Sequence, residues 1–310
     1  MNKNARNDTL QIIFHILAFS TYSEERLLLF TGLLAIYLMA ITVNVIIIYL
    51  VYRMPWLHTS MYFFLCNLST LDVLYISSTL PKLLYIICTG DNSVSYNACL
   101  TQLYFFLFFA DTESLLISSM AIDRYVAVCK PLHYSLIMNK RTCALIAALA
   151  WCMSAVNALI LSWLIFDLHF VDINEINNFF CDLKALLSIS SDDTTYARRF
   201  ILVDGTCIGV VPFGITLVSY VSIISTILKI QSSEGRVKAF SSCSSHLALV
   251  VLYYGSTLSL YFRNSEEGDL LFSFIFVILV PFFNPLIYSL RNKDILRSLR
   301  KVLYCNKTIF

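Results

Sequence analysis

Residues 27–52 read LLLFTGLLAIYLMAITVNVIIIYLVY, a run of 26 residues that contains no Asp, Glu, Lys or Arg. A helix needs about 20 apolar residues to cross the roughly 30 Å of hydrocarbon in a bilayer. This run exceeds that length and is interrupted by no charge. It therefore predicts a membrane-spanning helix.

Six further stretches have a similar length and character. Four of them are free of charged residues over at least 21 positions, and two are apolar but contain acidic residues, Asp72 in one and Glu113 in the other. Short loops separate most of the stretches, which favours one helix bundle over two domains. We therefore expect an all-α membrane protein that forms a single domain, 1–310. The predicted spans are 27–52, 60–87, 99–128, 142–166, 200–228, 239–262 and 270–290.

The composition agrees with a membrane protein. Hydrophobic residues make up 58% of the chain and charged residues 14%, and the mean hydropathy is +0.73. Soluble domains carry roughly 25% charged residues, so a soluble enzyme and a nucleic-acid-binding protein are both disfavoured. The spans also offer no grouping of His, Cys and Asp that resembles a catalytic or metal site. We expect lipid as the surrounding partner, no nucleic acid and no enzymatic activity.

The distribution of basic residues predicts the orientation, because Lys and Arg concentrate in cytoplasmic loops. With the tail 291–310 placed inside, 13 of them lie inside and 8 outside, with Arg124 at the membrane edge. The segment 1–26 is then extracellular. The tail reads as an amphipathic, cationic helix on the inner leaflet. Cys305 at its end is either a palmitoylation site or a plain thiol.

The extracellular N-terminus has two interpretations. Leu10–Phe19 follows Lys3 and Arg6, so it could be a short signal peptide. We favour a hydrophobic strap that packs on the outer rim of the bundle. Asn7 begins the sequon Asn-Asp-Thr and is a predicted glycosylation site.

Two cysteines, Cys99 and Cys181, fall on the predicted outer side. An oxidising exterior favours a disulfide between them. Cys88, near the outer end of the second span, is the alternative partner.

Charged residues inside a span are costly and therefore suggest function. Asp72 and Glu113 lie at mid-depth on neighbouring spans, and they could share a cation such as Na⁺ or a proton. The alternative is a protonated carboxyl group that is hydrogen-bonded to Ser or Asn. No other cofactor is expected.

Three sequence motifs are specific enough to indicate a protein family. They are MAIDRYVAVCKPLHY (120–134), KAFSSCSSHL (238–247) and PFFNPLIYSLRN (281–292). With them the chain resembles vertebrate odorant (olfactory) receptors of the rhodopsin-like (class A) G-protein-coupled class, over essentially its whole length. It departs from their pattern at Val171 and Ser191, where family members carry two further loop cysteines.

The resemblance implies a receptor in the plasma membrane of olfactory neuron cilia. Such a receptor binds a small odorant and activates the olfactory stimulatory heterotrimeric G protein, which raises cAMP. The alternatives are a receptor of the same class for a non-odorant small molecule and, less favoured, a transporter. The residues that the resemblance assigns to coupling and activation are Asp123, Arg124, Tyr125, Tyr220, Asn284, Pro285 and Tyr288.

The resemblance also implies where the ligand binds, between spans three, five, six and seven. The matching positions are Phe106, Leu107, Ala110, Asp111, Asp204, Ile208, Tyr254, Thr257, Tyr261 and Phe274. Most of these are apolar or aromatic, which suits small, weakly soluble molecules. Asp111 and Asp204 could instead bind a cationic amine. Alternatively, Asp204 pairs with Arg198 or Arg199, and Asp111 is neutral and hydrogen-bonded.

Overall fold

A computed structural model describes residues 12–17, 26–170, 175–262, 269–291 and 293–305. The fold is a bundle of long helices, and a helix covers each of the seven apolar stretches. The long helices are α1 (Arg26–Arg53), α2 (Ser60–Thr89), α3 (Tyr96–Cys129), α4 (Lys140–Phe166), α5 (Thr195–Leu228), α6 (Ser233–Phe262) and α7 (269–291), followed by α8 (Lys293–Cys305).

Within the described residues, six helices are long and apolar enough to cross a membrane. They are α1 to α5 and the Leu270–Ile287 part of α7. The helix α6 is 30 residues long, but it is not one of the six. Several serines and His246 lower its hydropathy relative to the other long helices.

Two of the helices contain a π-helical turn. In α5 the turn covers Thr206–Val210, and in α7 it covers Ile275–Leu279. Such turns are frequent at functional sites because they change the direction in which side chains point. One turn contains Ile208 and the other directly follows Phe274, so both lie beside predicted ligand residues. Pro285 adds a further interruption inside α7.

A small sheet covers one end of the bundle. Strand β1 (Ile13–Ile16) pairs antiparallel with β2 (Ser93–Ser95) and parallel with β3 (Glu175–Ile176). Phe14 and Ile16 are buried in the core, as the strap interpretation predicts for this segment. Asn7 lies outside the described residues.

The helix α3 occupies the centre of the bundle, where it packs against α2, α4, α5 and α6. The amphipathic helix α8 is attached to the opposite end from the sheet. Its Ile295 is buried, its Ser298 hydroxyl accepts a hydrogen bond from Trp56 Nε1 at 2.9 Å, and Lys301 Nζ lies 4.7 Å from the Trp56 ring. The apolar face of α8 therefore contacts the bundle, and its charged face remains exposed.

Candidate functional site

A disulfide joins Cys99 at the start of α3 to Cys181 in the long loop after α4, which confirms the predicted pair. Cys88 has a free, exposed thiol. Beside the disulfide, the Cys181 amide donates a hydrogen bond to Gln102 Oε1 at 2.9 Å. The loop is thus attached to α3 by one covalent bond and one hydrogen bond.

This attachment brings Phe179 and Phe180 into the bundle, where both rings are buried. The Phe180 ring centroid lies 4.7 Å from that of Phe106, and the Phe179 centroid lies 6.4 Å from that of Phe274. These two loop residues are not among the ligand positions predicted from the sequence. Their position directly before Cys181 is the signal that could have identified them, because a disulfide fixes its neighbours.

The predicted ligand residues of α3, α5 and α6 are adjacent. The hydroxyl of Ser114 donates to the Ile208 carbonyl at 3.2 Å, and Tyr253 Oη donates to the Ala110 carbonyl at 2.8 Å. Tyr254 is buried, with its ring centroid 4.9 Å from that of Phe213. The site is therefore closely packed.

The remaining predicted ligand positions differ in their burial and in their contacts with these residues of α3, α5 and α6. Phe106 and Leu107 are buried on α3. The Thr257 hydroxyl is half-buried and donates to the Tyr253 carbonyl of its own helix at 2.8 Å. The side chain of Tyr261 lies outside the described residues.

The structure brings Asp111 and Asp204 together through a residue that the sequence analysis missed. Asn157 of α4 donates from Nδ2 to Asp111 Oδ2 at 2.9 Å and to Asp204 Oδ2 at 3.2 Å. The guanidinium of Arg198, which was one suggested partner of Asp204, donates instead to Thr194 Oγ1 and to the Leu187 carbonyl. The two carboxylates thus share one amide donor where α3, α4 and α5 meet.

A second polar cluster lies between α2, α3 and α7. Asn284 donates from Nδ2 to Asp72 Oδ1 at 3.0 Å and to Glu113 Oε1 at 2.9 Å, and all three side chains are buried. Among the described residues, three oxygen atoms of this cluster have no hydrogen-bond partner: Asp72 Oδ2, Glu113 Oε2 and Asn284 Oδ1. Two buried carboxylates that share one donor need a proton or a cation to offset their charge.

The donor set fits a small hard cation. Carboxylate and amide oxygens are the ligands that such cations prefer, and the three unpartnered oxygens belong to neighbouring residues. The part of the chain that the structure describes contains no group of three or more His, Cys, Asp or Glu that could hold a metal ion. The unpartnered atoms of the cluster are carboxylate and amide oxygens, not the nitrogen and sulfur atoms that suit a transition metal.

The end of α3 near α8 carries the Asp-Arg-Tyr motif. Arg124 donates to Asp123 Oδ2 from Nη2 at 2.7 Å and from Nε at 3.2 Å, and Tyr134 Oη donates to Asp123 Oδ1 at 2.8 Å. Tyr134 lies in the loop after α3, where burial and the Asp123 carboxylate raise the pKa of its phenol to about 12. The phenol thus stays protonated and remains a donor. Tyr125 is half-buried, and Lys130 Nζ lies 5.8 Å from its ring centroid.

Tyr220 contacts a histidine that the sequence analysis did not select. The distance from Tyr220 Oη to His246 Nδ1 is 2.6 Å, and His246 Nε2 lies 3.1 Å from the Ile117 carbonyl oxygen. A neutral imidazole that carries its proton on Nε2 satisfies both contacts, which connects α3, α5 and α6. Pro285 is buried in α7, and the side chain of Tyr288 lies outside the described residues.

The amino-acid sequence is similar to one group of known proteins. Residues 33–307 match the family model described as olfactory receptor. The human olfactory receptor 1E1 is 41% identical over 309 residues, which cover 98% of each chain. The mouse olfactory receptor 1E16 is 41% identical over 308 residues, again 98% of each chain. The gorilla olfactory receptor 1G1 is 42% identical over 295 residues, 94% of each chain.

Proposed function

The chain belongs to the olfactory receptor family, and on this basis we propose that it binds a small odorant within its helix bundle and activates a heterotrimeric G protein. The G protein is the olfactory stimulatory type, and its activation raises cAMP. The observation that carries the proposal is the family match over 33–307, combined with the ion pair between buried Asp123 and partly buried Arg124 at one end of α3. The ligand acts by a shift of population, since it stabilises the arrangement that the G protein binds better.

We also propose that the chain is a multi-pass protein of the plasma membrane and crosses the bilayer seven times. Its N-terminus lies outside and α8 lies on the inner leaflet, as the basic residues suggest. Six helices support this by length and hydropathy. The helix α6 is the seventh span, and its 30 residues are long enough to cross. The membrane of olfactory cilia is the proposed location.

The ligand site that we propose lies among α3, α5, α6 and α7, beneath the loop residue Phe180. Its walls are largely aromatic, because Phe106, Phe180, Phe213 and Tyr254 all belong to it. Apolar walls with few polar groups suit small neutral odorants. Because Phe106 and Phe180 are buried in contact with each other, the ligand binds by displacing one of these rings.

One observation favours a second candidate ligand, a cationic amine. Asp111 and Asp204 share the donor Asn157, and an ammonium group could supply further donors and offset their charge. The same geometry also suits a protonated Asp111 that needs no ligand. A panel of ligands is therefore needed to distinguish neutral odorants from cationic amines.

We expect a panel of aldehydes, esters, acids and amines on transfected cells to contain activators that raise cAMP. Phe106→Ala then raises the half-maximal concentration by about tenfold or more, since each 1.4 kcal/mol of lost contact is a factor of ten. Phe105→Ala is the matched control, because Phe105 is 38% exposed and Phe106 is 1% exposed. Equal effects of the two substitutions would contradict the proposed site. A panel in which only amines activate, with loss in Asp204→Asn, would select the second candidate.

We also propose that Asp72, Glu113 and Asn284 hold a Na⁺ ion between the ligand end and the G-protein end of the bundle. The support is their three unpartnered buried oxygens. A single shared proton is the alternative, and it also offsets the charge. Sodium binding would stabilise the arrangement in which α2, α3 and α7 are close together.

The purified receptor should melt at a higher temperature in NaCl than in N-methylglucamine chloride of equal ionic strength. At Na⁺ about 100 times its dissociation constant, binding adds about 2.7 kcal/mol of stability. Asp72→Asn should remove this difference, and Asp111→Asn should retain it. If the wild-type melting temperature responds to pH but not to Na⁺, a shared proton and not a sodium ion offsets the charge of the two carboxylates.

A further inference from the structure

An apolar groove lies between α6 and α7 on the outside of the bundle. Its lining includes Phe240, Ser244, Ala248 and Val251 of α6 and Phe283 of α7, and its cavity volume is about 560 Å³. We refer to it as the α6–α7 groove. It is separate from both polar clusters and from the proposed odorant site.

Small side chains explain why the groove exists. Ser244 and Ala248 lie one turn apart on α6, so they share a face. Phe240 and Val251 lie on either side of them along the same helix, and both have larger side chains. The short side chains therefore leave a depression between two bulky ends, and Phe283 of α7 forms the opposite wall.

The groove opens away from the bundle. Phe240 is 53% exposed and Val251 is 65% exposed, and Phe283 is exposed as well. In a bilayer this surface faces lipid, where an unfilled depression loses dispersion contacts. An acyl chain is the available group that is thin and apolar enough to fill it.

The length of the groove matches one leaflet. Val251 lies 11 positions after Phe240, which is a rise of about 16 Å along α6. This is about half of the roughly 30 Å hydrocarbon thickness. The inner end of the groove lies at Phe240, near the cytoplasmic end of α6, and the other end lies near the middle of the membrane. The groove thus fits an acyl chain of the inner leaflet.

A cationic residue marks the inner end. Arg236 lies four residues before Phe240, so it extends the face that carries Phe240, Ser244 and Ala248 beyond the apolar region. Its side chain is exposed. Phe240, one turn after it on the same face, is uncharged, and so is Ser232, which directly precedes α6. A guanidinium at this depth complements the phosphate of an anionic headgroup.

We infer that the α6–α7 groove binds an anionic phospholipid of the inner leaflet, with one acyl chain along Ser244 and Ala248 and the headgroup at Arg236. The inference rests on the orientation in the proposed function. Because its two walls belong to different helices, the lipid binds best at one separation of α6 and α7. It therefore stabilises the conformation that has this separation, in proportion to its differential affinity.

The test uses the full-length receptor in nanodiscs that contain trace photoreactive phosphatidylglycerol or phosphatidylcholine, each with a diazirine on the acyl chain. We expect peptides that contain Phe240–Leu252 to be labelled about fivefold more by phosphatidylglycerol, the factor that one arginine near an anionic leaflet supplies. Arg236→Gln should make the two lipids equal. Arg297→Gln, an exposed arginine of α8, is the control and should retain the preference.

Filling the groove tests the acyl-chain contact. Ser244→Leu with Ala248→Leu should reduce labelling of these peptides several-fold. Ala144→Leu with Ala148→Leu is the matched control, because these two exposed alanines also lie one turn apart, but on α4. Labelling that is equal on all exposed helices, or that is unaffected by filling, would overturn the inference. So would receptor–receptor crosslinks through Phe240–Leu252, which would make the groove an interface between copies.

The labelling requires no odorant and no G protein. A receptor that gives no cAMP response can still be labelled in the groove, and a receptor that signals can still lack the lipid. Failure of this inference is therefore distinguishable from failure of the proposed function. Protease digestion of the tail from the outside tests the orientation on which both depend.

Discussion

Cells that express Arg124→Ala display the receptor at their surface and do not raise cAMP when an activating odorant is added. The Arg124 side chain is 13% exposed and is bound through two nitrogens to Asp123. It lies at the proposed cytoplasmic end of α3, far from the aromatic ligand site. Its charge is therefore available to the G protein once the ion pair opens. Loss of such a charged contact costs about 2–5 kcal/mol, which is enough to abolish a measurable response.

Arg141→Ala is the control for this result. Arg141 is an exposed arginine near the start of α4, on the same proposed side of the membrane. The two variants are compared by cAMP reporter output at equal surface staining. A full cAMP response from Arg124→Ala would show that Arg124 has no role in coupling. An equal loss of response in Arg141→Ala would show that any arginine on this side of the membrane has the same effect.

The second large effect concerns the disulfide. Cys181→Ser should leave most of the receptor inside the cell, measured as the ratio of surface to total staining. The Cys99–Cys181 bond closes a loop with a sequence separation of 82, and the chain-entropy model assigns about 4.5 kcal/mol to a loop of this size. Folded domains are stable by only about 5–15 kcal/mol. The substitution also releases Phe179 and Phe180 from the bundle.

Cys152→Ser serves as the matched control, because Cys152 is a free, exposed cysteine of α4. Its surface ratio should equal that of the wild type. The double variant Cys99→Ser with Cys181→Ser should have the same low ratio of surface to total staining as either single variant, since each of them already breaks the same bond. Normal surface display of Cys181→Ser would mean that packing of the loop is sufficient without the bond.

The acidic residues show how far sequence reasoning can go. The cost of a charge in an apolar span indicates that Asp72 and Glu113 serve a purpose, and their similar depth suggests that they are neighbours. The sequence alone does not decide whether the pair shares a cation or a proton, or whether a protonated carboxyl group is hydrogen-bonded to Ser or Asn. Asn284 is more than 170 residues from Glu113 in the sequence. Only the packing of α7 against α2 and α3 makes it the shared donor.

The same reason explains the residues that sequence reasoning missed. Asn157 lies on α4 and His246 lies on α6, and the sequence around them does not show what either side chain contacts. Asn157 becomes significant because it meets Asp111 and Asp204, and His246 because it meets Tyr220 and the Ile117 carbonyl. Each contact depends on how a helix is rotated about its axis. That rotation is fixed by side-chain packing among several helices and not by the hydropathy of any one.

The amino-acid sequence by itself determined that this chain is apolar, helical and related to one receptor family. Hydrophobic transfer and helix length act locally, and short motifs persist in the linear order. The tertiary structure decided which polar atoms meet, which aromatic rings fill the proposed ligand site, and where a groove remains between α6 and α7. These features depend on distances between residues that are far apart in the sequence, and only the packed bundle specifies those distances.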